Sequence, residues 1–291
     1  MPIYPIEMMC RFFQEQSQET WDQINFMRHL NLSINETTIT QNLLFKFWRL
    51  ARFGSLPVKL YQAIAENVNG NDLEIFVETK LGYFFIACQS KITNKKYKYA
   101  HIYHRVGKDY QLDLLVNYAK RFGWMPAYLF YNYIPSMLQS PDFRAVRYQR
   151  DYGITICNAR PLFIDLSIRK ILGQTPVIPS FNDIHPHFAT PLHQFICDLL
   201  NDRVFSEAAA SFPTIPDFQW YTKAQVSNEE TWREVLPPPA IGRINELNIT
   251  DEIKQEINSA LAFRPKYRLV VSKPPTEGSE DSRPPGLYRM T

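Results

Sequence analysis

Four side chains in two adjoining stretches have the types and spacing for metal-assisted hydrolysis: Asp72 and Glu74 in the first, Gln89 and Lys91 in the second. Leu73, Ile75 and Val77 alternate with Asp72, Glu74, Phe76 and Glu78, which is a strand pattern. Tyr83 to Gln89 form a second run of aromatic and β-branched character, and Thr79-Lys80-Leu81-Gly82 supplies a turn between the two. With the turn centred between residues 80 and 81, antiparallel pairing sets Asp72 opposite Gln89. Alternation then puts Asp72 and Glu74 on one face, and Gln89 and Lys91 likewise. Cross-strand neighbours sit ~4.5–5.5 Å apart at Cβ, so carboxylates, an amide and an ammonium converge at one end of a hairpin. Asn69-Gly70-Asn71 adds a tight backbone turn that presents the Asp72 carboxylate at a strand end.

That grouping suits phosphodiester hydrolysis. Mg²⁺ takes hard oxygen ligands, one or two carboxylates with waters and phosphate oxygens. The ion activates water and neutralises phosphate charge, and a nearby ammonium orients the water or stabilises developing charge. Asp72 and the backbone carbonyl beside Gln89 are the oxygen donors, and Lys91 serves phosphate and water. D-x-E and Q-x-K are weak patterns singly, and an ordinary surface hairpin carries the same residue types. Their opposition across one hairpin gives them weight.

The flanking elements must position this hairpin. Phe12, Phe13, Trp21, Ile24, Phe26 and Leu30 space out an amphipathic helix over 11–30. A second helix is expected over 37–53, capped by its threonines and ended by Gly54 and Pro57. Leu112, Leu115, Val116 and Ala119 predict a helix over 110–122, closed by Gly123. Buried strands are expected at 127–131 and 153–157, and strand, helix, strand at this spacing implies a crossover onto one sheet. Further helices are expected near 190–203 and 250–262, with a last strand at 267–272. Residues 273–291 are rich in Pro, Gly, Ser and charge, and read as a disordered tail.

Gly70-Asn71-Asp72, a strand, then Ile86-Ala87-Cys88-Gln89-Ser90-Lys91 resembles the PD-(D/E)XK, restriction-endonuclease-like superfamily, closest to Mrr-like members with Q-x-K. The pattern NGND…QSK…YQLDLL…NYAK is also similar to a small bacterial family of predicted nucleases. The resemblance spans roughly residues 30–160 and implies an α/β fold with an αβββαβ core, a central mixed sheet flanked by helices and a C-terminal helical or irregular extension. The corresponding division is a nuclease core over 1–160, an extension packed on it over 161–272, and the tail. It implies Asp72 as metal ligand, Lys91 as catalytic lysine, Gln89 as a metal-site residue and Glu36 as the first acidic motif. Gln89 brings no negative charge, so Glu74, Glu66 or Glu36 must compensate; strand alternation favours Glu74, with a hydrated surface residue as the plain alternative. Gln111 and Tyr118, seven apart on one helix face, loosely resemble a Gln and Tyr of RecB-like nucleases, which places Gln111 near nucleic acid. The implied activity is Mg²⁺- or Mn²⁺-dependent cleavage of DNA in the cytoplasm, in bacterial defence. A homodimer or a larger defence complex is left open.

Residues 91–108 hold six Lys or Arg, two His and no acid. Lys95, Lys96 and Lys98 could track a phosphate backbone, and Tyr97 or Tyr99 could stack on bases; the bland alternative is a charged loop or edge strand. His185, His187, His193 and Cys197 have ligand chemistry for Zn²⁺, in a spacing that fits no familiar module, and capping or buried roles compete. The four cysteines form no CxxC pair, so reduced thiols are expected. A net charge of +3 neither demands nor forbids a polyanionic partner. No stretch has the length and apolarity of a membrane span, and no signal peptide is read at the N-terminus. Two other functions compete with a nuclease: a non-catalytic nucleic-acid-binding or assembly module, and a zinc-dependent protein built on the His185 cluster.

Overall fold

The computed structural model of the chain describes residues 6–52, 57–63, 73–122, 125–135, 149–185, 187–203, 221–222, 226, 232–234 and 267–273. Asp72, Glu66, Asn69 to Asn71, the helix expected near 250–262 and the tail expected from 273 onward (apart from Lys273) lie outside them.

Helix α1 (Ile6–His29) buries Met9, Phe13, Gln16, Ser17, Thr20, Trp21 and Ile24, a stripe at three- and four-residue spacing. Helix α2 (Glu36–Arg52) begins one residue before the sequence expectation. Its cap is Asn35, whose Oδ1 accepts from the Thr38 N–H at 2.9 Å, rather than a threonine. An asparagine carbonyl at that position satisfies one of the orphan N–H groups of the first turn.

Between the helices runs a mixed eight-stranded sheet, ordered β8-β7-β6-β3-β2-β10-β1-β9. Its strands are β1 (Val58–Ala63), β2 (Leu73–Thr79), β3 (Gly82–Ile92), β6 (Met125–Tyr131), β7 (Ile154–Asn158), β8 (Ala189–Pro191), β9 (Trp232–Glu234) and β10 (Tyr267–Val271). A separate small hairpin pairs β4 (Arg105–Val106) with β5 (Asp109–Tyr110). The hairpin register is the expected one: Leu73 faces Cys88, Glu74 faces Ala87, and Thr79 faces Gly82 around the Lys80-Leu81 loop. Gly82 sits at φ 121°, a conformation that a side chain would strain. Helix α3 (Gln111–Phe122) carries the chain from β3 to β6, which pair in parallel as a crossover requires. With the separate β4–β5 hairpin between β3 and α3 set aside, the run α2-β1-β2-β3-α3-β6 reads αβββαβ.

Alternation sorts the core into two layers. Leu73, Ile75, Val77, Ile86, Cys88, Leu129 and Tyr131 face α1, α2 and α6 (Leu192–Leu200). Phe76, Phe85, Ala87, Tyr128 and Phe130 face α3 and α4 (Arg160–Ile171). Being covered on both sides, β6 is apolar throughout and fully buried. Helix α1 also crosses the short 3-10 turn at Gln149–Gly153, where a Cβ on Gly153 would stand 1.9 Å from the Ser17 carbonyl oxygen. Only glycine permits that approach.

Two expectations are corrected. Residues 161–272 do not merely pack on a finished core: β8 forms a sheet edge, and β10 lies inside the sheet, antiparallel to β1 and parallel to β2. Cys10 and Cys197 are not free thiols but a disulfide tying α1 to α6, while Cys88 and Cys157 are buried thiols outside any disulfide. Sequence spacing cannot reveal a pair 187 residues apart. No described helix is long and apolar enough to cross a membrane.

Candidate functional site

The last turn of β3 carries the site. Gln89 and Lys91 project to the α3 side, beside their parallel partners Tyr128 and Phe130 on β6. Both are buried, at 2% and 7% exposure. The Lys91 Nζ donates to Gln111 Oε1 at 2.9 Å, from the first residue of α3. Among the described residues, the Gln89 Oε1 is buried and accepts no hydrogen bond. Leaving such a group unsatisfied costs about 1–3 kcal/mol, so this acceptor calls for a partner beyond the described residues. The rings of Tyr128 and Phe130 stack beside this end of the strand with centroids 5.6 Å apart. Tyr128 is fixed by donating its hydroxyl to the Ile102 carbonyl at 3.1 Å.

Glu74 is on the same face but does something else. Its Oε2 accepts from Arg268 Nε at 2.8 Å and its Oε1 from the Tyr118 hydroxyl at 2.9 Å. Arg268 is its neighbour in register on β10 and lies over the Phe76 ring at 4.6 Å, with Nη1 donating to the Val226 carbonyl. Burial pushes the Glu74 carboxyl above the usual range, against the opposing pull of Arg268 and Tyr118. The carboxylate expected as a metal ligand is therefore one half of a buried ion pair. Helix α3 spans both groups: Gln111 reaches Lys91, and Tyr118, about 10 Å further along the axis, reaches Glu74. The seven-residue spacing read in the sequence thus places both side chains on the sheet-facing side. Gln111 there holds the lysine.

Glu36 reaches the same end of β3 from the opposite layer, where its Oε1 accepts from the Ile92 N–H at 3.4 Å. Near it Thr40 Oγ1 meets Ser90 Oγ at 3.2 Å and the Tyr131 hydroxyl at 2.8 Å, and burial pushes the Tyr131 phenol up to about 12. Ser90 and Ile92 point to this side while Gln89 and Lys91 point away, so the described structure brings Gln89, Lys91 and Gln111 together and leaves Glu36 and Glu74 apart from them.

Beyond β3, Lys95, Lys96 and Lys98 are exposed on a loop of fixed shape. Asn94 Oδ1 accepts from the N–H groups of Lys96 and Lys98, at 2.8 and 3.0 Å, and Tyr97 adopts φ 57°. Tyr99 cannot stack on a base: it is fully buried, donating its hydroxyl to Asn132 Oδ1 at 2.7 Å. Tyr97 is half-buried beside the Arg28 guanidinium. The segment begins in the main sheet with Lys91 and Ile92, runs as a loop joined to Ser180 by a single bridge at Lys98, and ends in the small β4–β5 hairpin.

The zinc reading does not survive. His185 is buried, with Nε2 against Thr155 Oγ1 at 2.8 Å, Nδ1 against the Phe181 carbonyl at 3.0 Å, and its ring stacked on Phe181. Cys197 is bonded to Cys10, and His187 is exposed while His185 is core. Among the described residues no three His, Cys, Asp or Glu side chains group to hold a metal. Sequence reasoning missed this buried network of Tyr99, Asn132, Thr155 and His185, and missed Arg268. The signal for Arg268 was present: an arginine inside the apolar run Tyr267-Arg268-Leu269-Val270-Val271 needs a buried anion.

Residues 9–274 match a family described as a family of unknown function (DUF6615), and the chain belongs to it. No curated protein and no solved structure matches the chain.

Proposed function

Starting from that membership, which carries no activity with it, we propose that the chain is a metal-dependent nuclease that cuts DNA from the Gln89–Lys91 end of β3. The observation that carries the reading is the Gln89 Oε1, a buried acceptor without a donor among the described residues, two residues from a buried lysine. Its oxygen suits a hard cation. Asp72, immediately before Leu73 and outside the described residues, is the carboxylate that the sequence pattern sets opposite it. Asp72 and Gln89 are the residues that would hold Mg²⁺ or Mn²⁺, and the bound ion would supply Lewis acidity for water and phosphate.

Lys91 then binds a phosphate oxygen. Gln111 keeps its ammonium in place, as the 2.9 Å contact supports. Lys95, Lys96 and Lys98 hold the flanking backbone. Glu36 fixes the end of β3 through the Ile92 N–H. Glu74 is assigned no part in the chemistry, because Arg268 and Tyr118 occupy both its oxygens. We propose that the activity is directed against foreign DNA.

The test is cleavage of plasmid and linear DNA by purified protein with Mg²⁺ or Mn²⁺. Asp72→Ala and Lys91→Ala each lose at least about 100-fold in rate while far-UV circular dichroism stays unchanged. Full activity in both variants refutes the reading. One observation favours a second reading, a nucleic-acid-binding module without chemistry: Gln89 is neutral where a carboxylate would strengthen a metal site. DNA binding with no hydrolysis under Mg²⁺, Mn²⁺ or Co²⁺ decides for it.

A further inference from the structure

Helix α4 has only Leu166 fully buried among its twelve residues. Leu162 and Phe163 pack on the core beneath it. Its other side is not polar. Ile164, Ile168 and Ile171 are 56%, 51% and 84% exposed, and Leu172, Val177 and Ile178 continue the surface at 61%, 58% and 40%. A surface helix ordinarily turns charge toward water. Here the cations of the last turn are held within the chain: Arg169 pairs with Asp165, and Lys170 with Asp113. Those two are therefore not free to meet acidic lipid headgroups, which an amphipathic membrane-binding helix would require.

The apolar residues together expose on the order of 600 Å², the upper end for the largest patch on a monomer. A biological interface buries at least about 1,000 Å² in total, and two such patches facing each other reach roughly that area. Ile164, Ile168 and Leu172 form a row at four-residue spacing, which two copies crossing antiparallel about Ile168 would match to itself. Ile168 would then meet the partner's Ile168, and Ile164 the partner's Leu172. A row that repeats itself under a two-fold rotation is what an isologous interface requires.

We infer that the α4 face is the dimer interface of this protein, occupied by the α4 of a second copy. Sedimentation equilibrium of the full chain reads it directly. The wild type should approach the mass of two chains at about 100 µM, roughly tenfold above a micromolar-range Kd of about 10 µM. Ile168→Glu/Ile171→Glu should sediment as one chain with an unchanged urea midpoint, since both side chains already face solvent. Ile168→Cys should form an interchain crosslink on copper-phenanthroline oxidation, and Ile164→Cys should not. A wild-type monomer at that concentration, or a dimer that survives the double substitution, overturns the inference. A dimer in which Ile168→Cys fails to crosslink overturns the antiparallel arrangement.

Discussion

Breaking the Glu74–Arg268 pair tests both the fold and the division of labour at the site. The two groups are 2.8 Å apart and their side chains are 0% and 7% exposed. At an effective dielectric of 20 the gross attraction at that distance is about 6 kcal/mol, which largely offsets two desolvation penalties. Removing one partner leaves the other charge buried alone. Glu74→Gln should therefore cost about 3–5 kcal/mol, a large part of a typical stability of about 5–15 kcal/mol. Arg268→Met should cost a similar amount at neutral pH but less in acid, because the abandoned carboxyl can take up a proton. Burial already raises its pKa. The sign follows: a carboxyl raised in the folded state favours folding as pH falls through that raised value, down to the ordinary carboxylate range. Each pH unit in that window returns up to about 1.4 kcal/mol to the Arg268→Met variant. Glu74→Leu/Arg268→Met should recover most of the loss, since apolar replacements of buried pairs are often neutral. The assay is urea unfolding followed by tryptophan fluorescence at pH 7 and pH 5, with DNA cleavage measured alongside. A cost under about 1 kcal/mol for Glu74→Gln, or an Arg268→Met penalty independent of pH, refutes the argument. Loss of cleavage in a stable double variant would return Glu74 to the chemistry.

Three further outcomes are expected. Gln89→Leu should raise stability by about 1 kcal/mol by removing the orphan acceptor, while lowering cleavage at least tenfold; a destabilised variant contradicts the first half. Burial holds the His185 imidazole down to about 3, so stability is flat above pH 6.5 and falls from there toward pH 3 by up to about 1.4 kcal/mol per unit; urea midpoints of the wild type and His185→Phe should differ in their slope between pH 7 and 5. Dithiothreitol, or Cys10→Ser, should lower stability by about 2–5 kcal/mol by opening a long covalent loop, and four titratable thiols in unreduced, denatured protein would show that the bond does not form.

Local periodicity made the hairpin legible. Leu73, Ile75 and Val77 against Cys88, Ile86 and Phe84 pair as alternation demands, because a slip of one residue would exchange the side chains of the two core layers and turn Glu74 into the other one. The helix face shared by Gln111 and Tyr118 followed from the same kind of repeat, and both reach the sheet. What periodicity does not encode is which distant segments meet. Glu74 has the same place on its strand whether it faces water or Arg268, which is 194 residues away. Tyr99 sits among lysines in the sequence yet is core, because Asn94 turns the chain and Asn132 receives its hydroxyl. The Cys10–Cys197 bond is equally silent in the sequence, since proximity of α1 and α6 is a property of the packed layers.

A strand from residues 267–271 lying between β1 and β2 sets a timetable for biosynthesis. Both neighbours leave the ribosome long before it does. At roughly 5–20 residues per second, the stretch separating β2 from β10 takes on the order of 10–40 s to synthesise. Throughout that interval the nascent chain has two sheet edges with no strand to join them, and unpaired edges recruit other chains. Truncations ahead of Tyr267 should consequently be insoluble rather than merely inactive, and the cell's holding chaperones should bind the growing polypeptide until its final strand arrives.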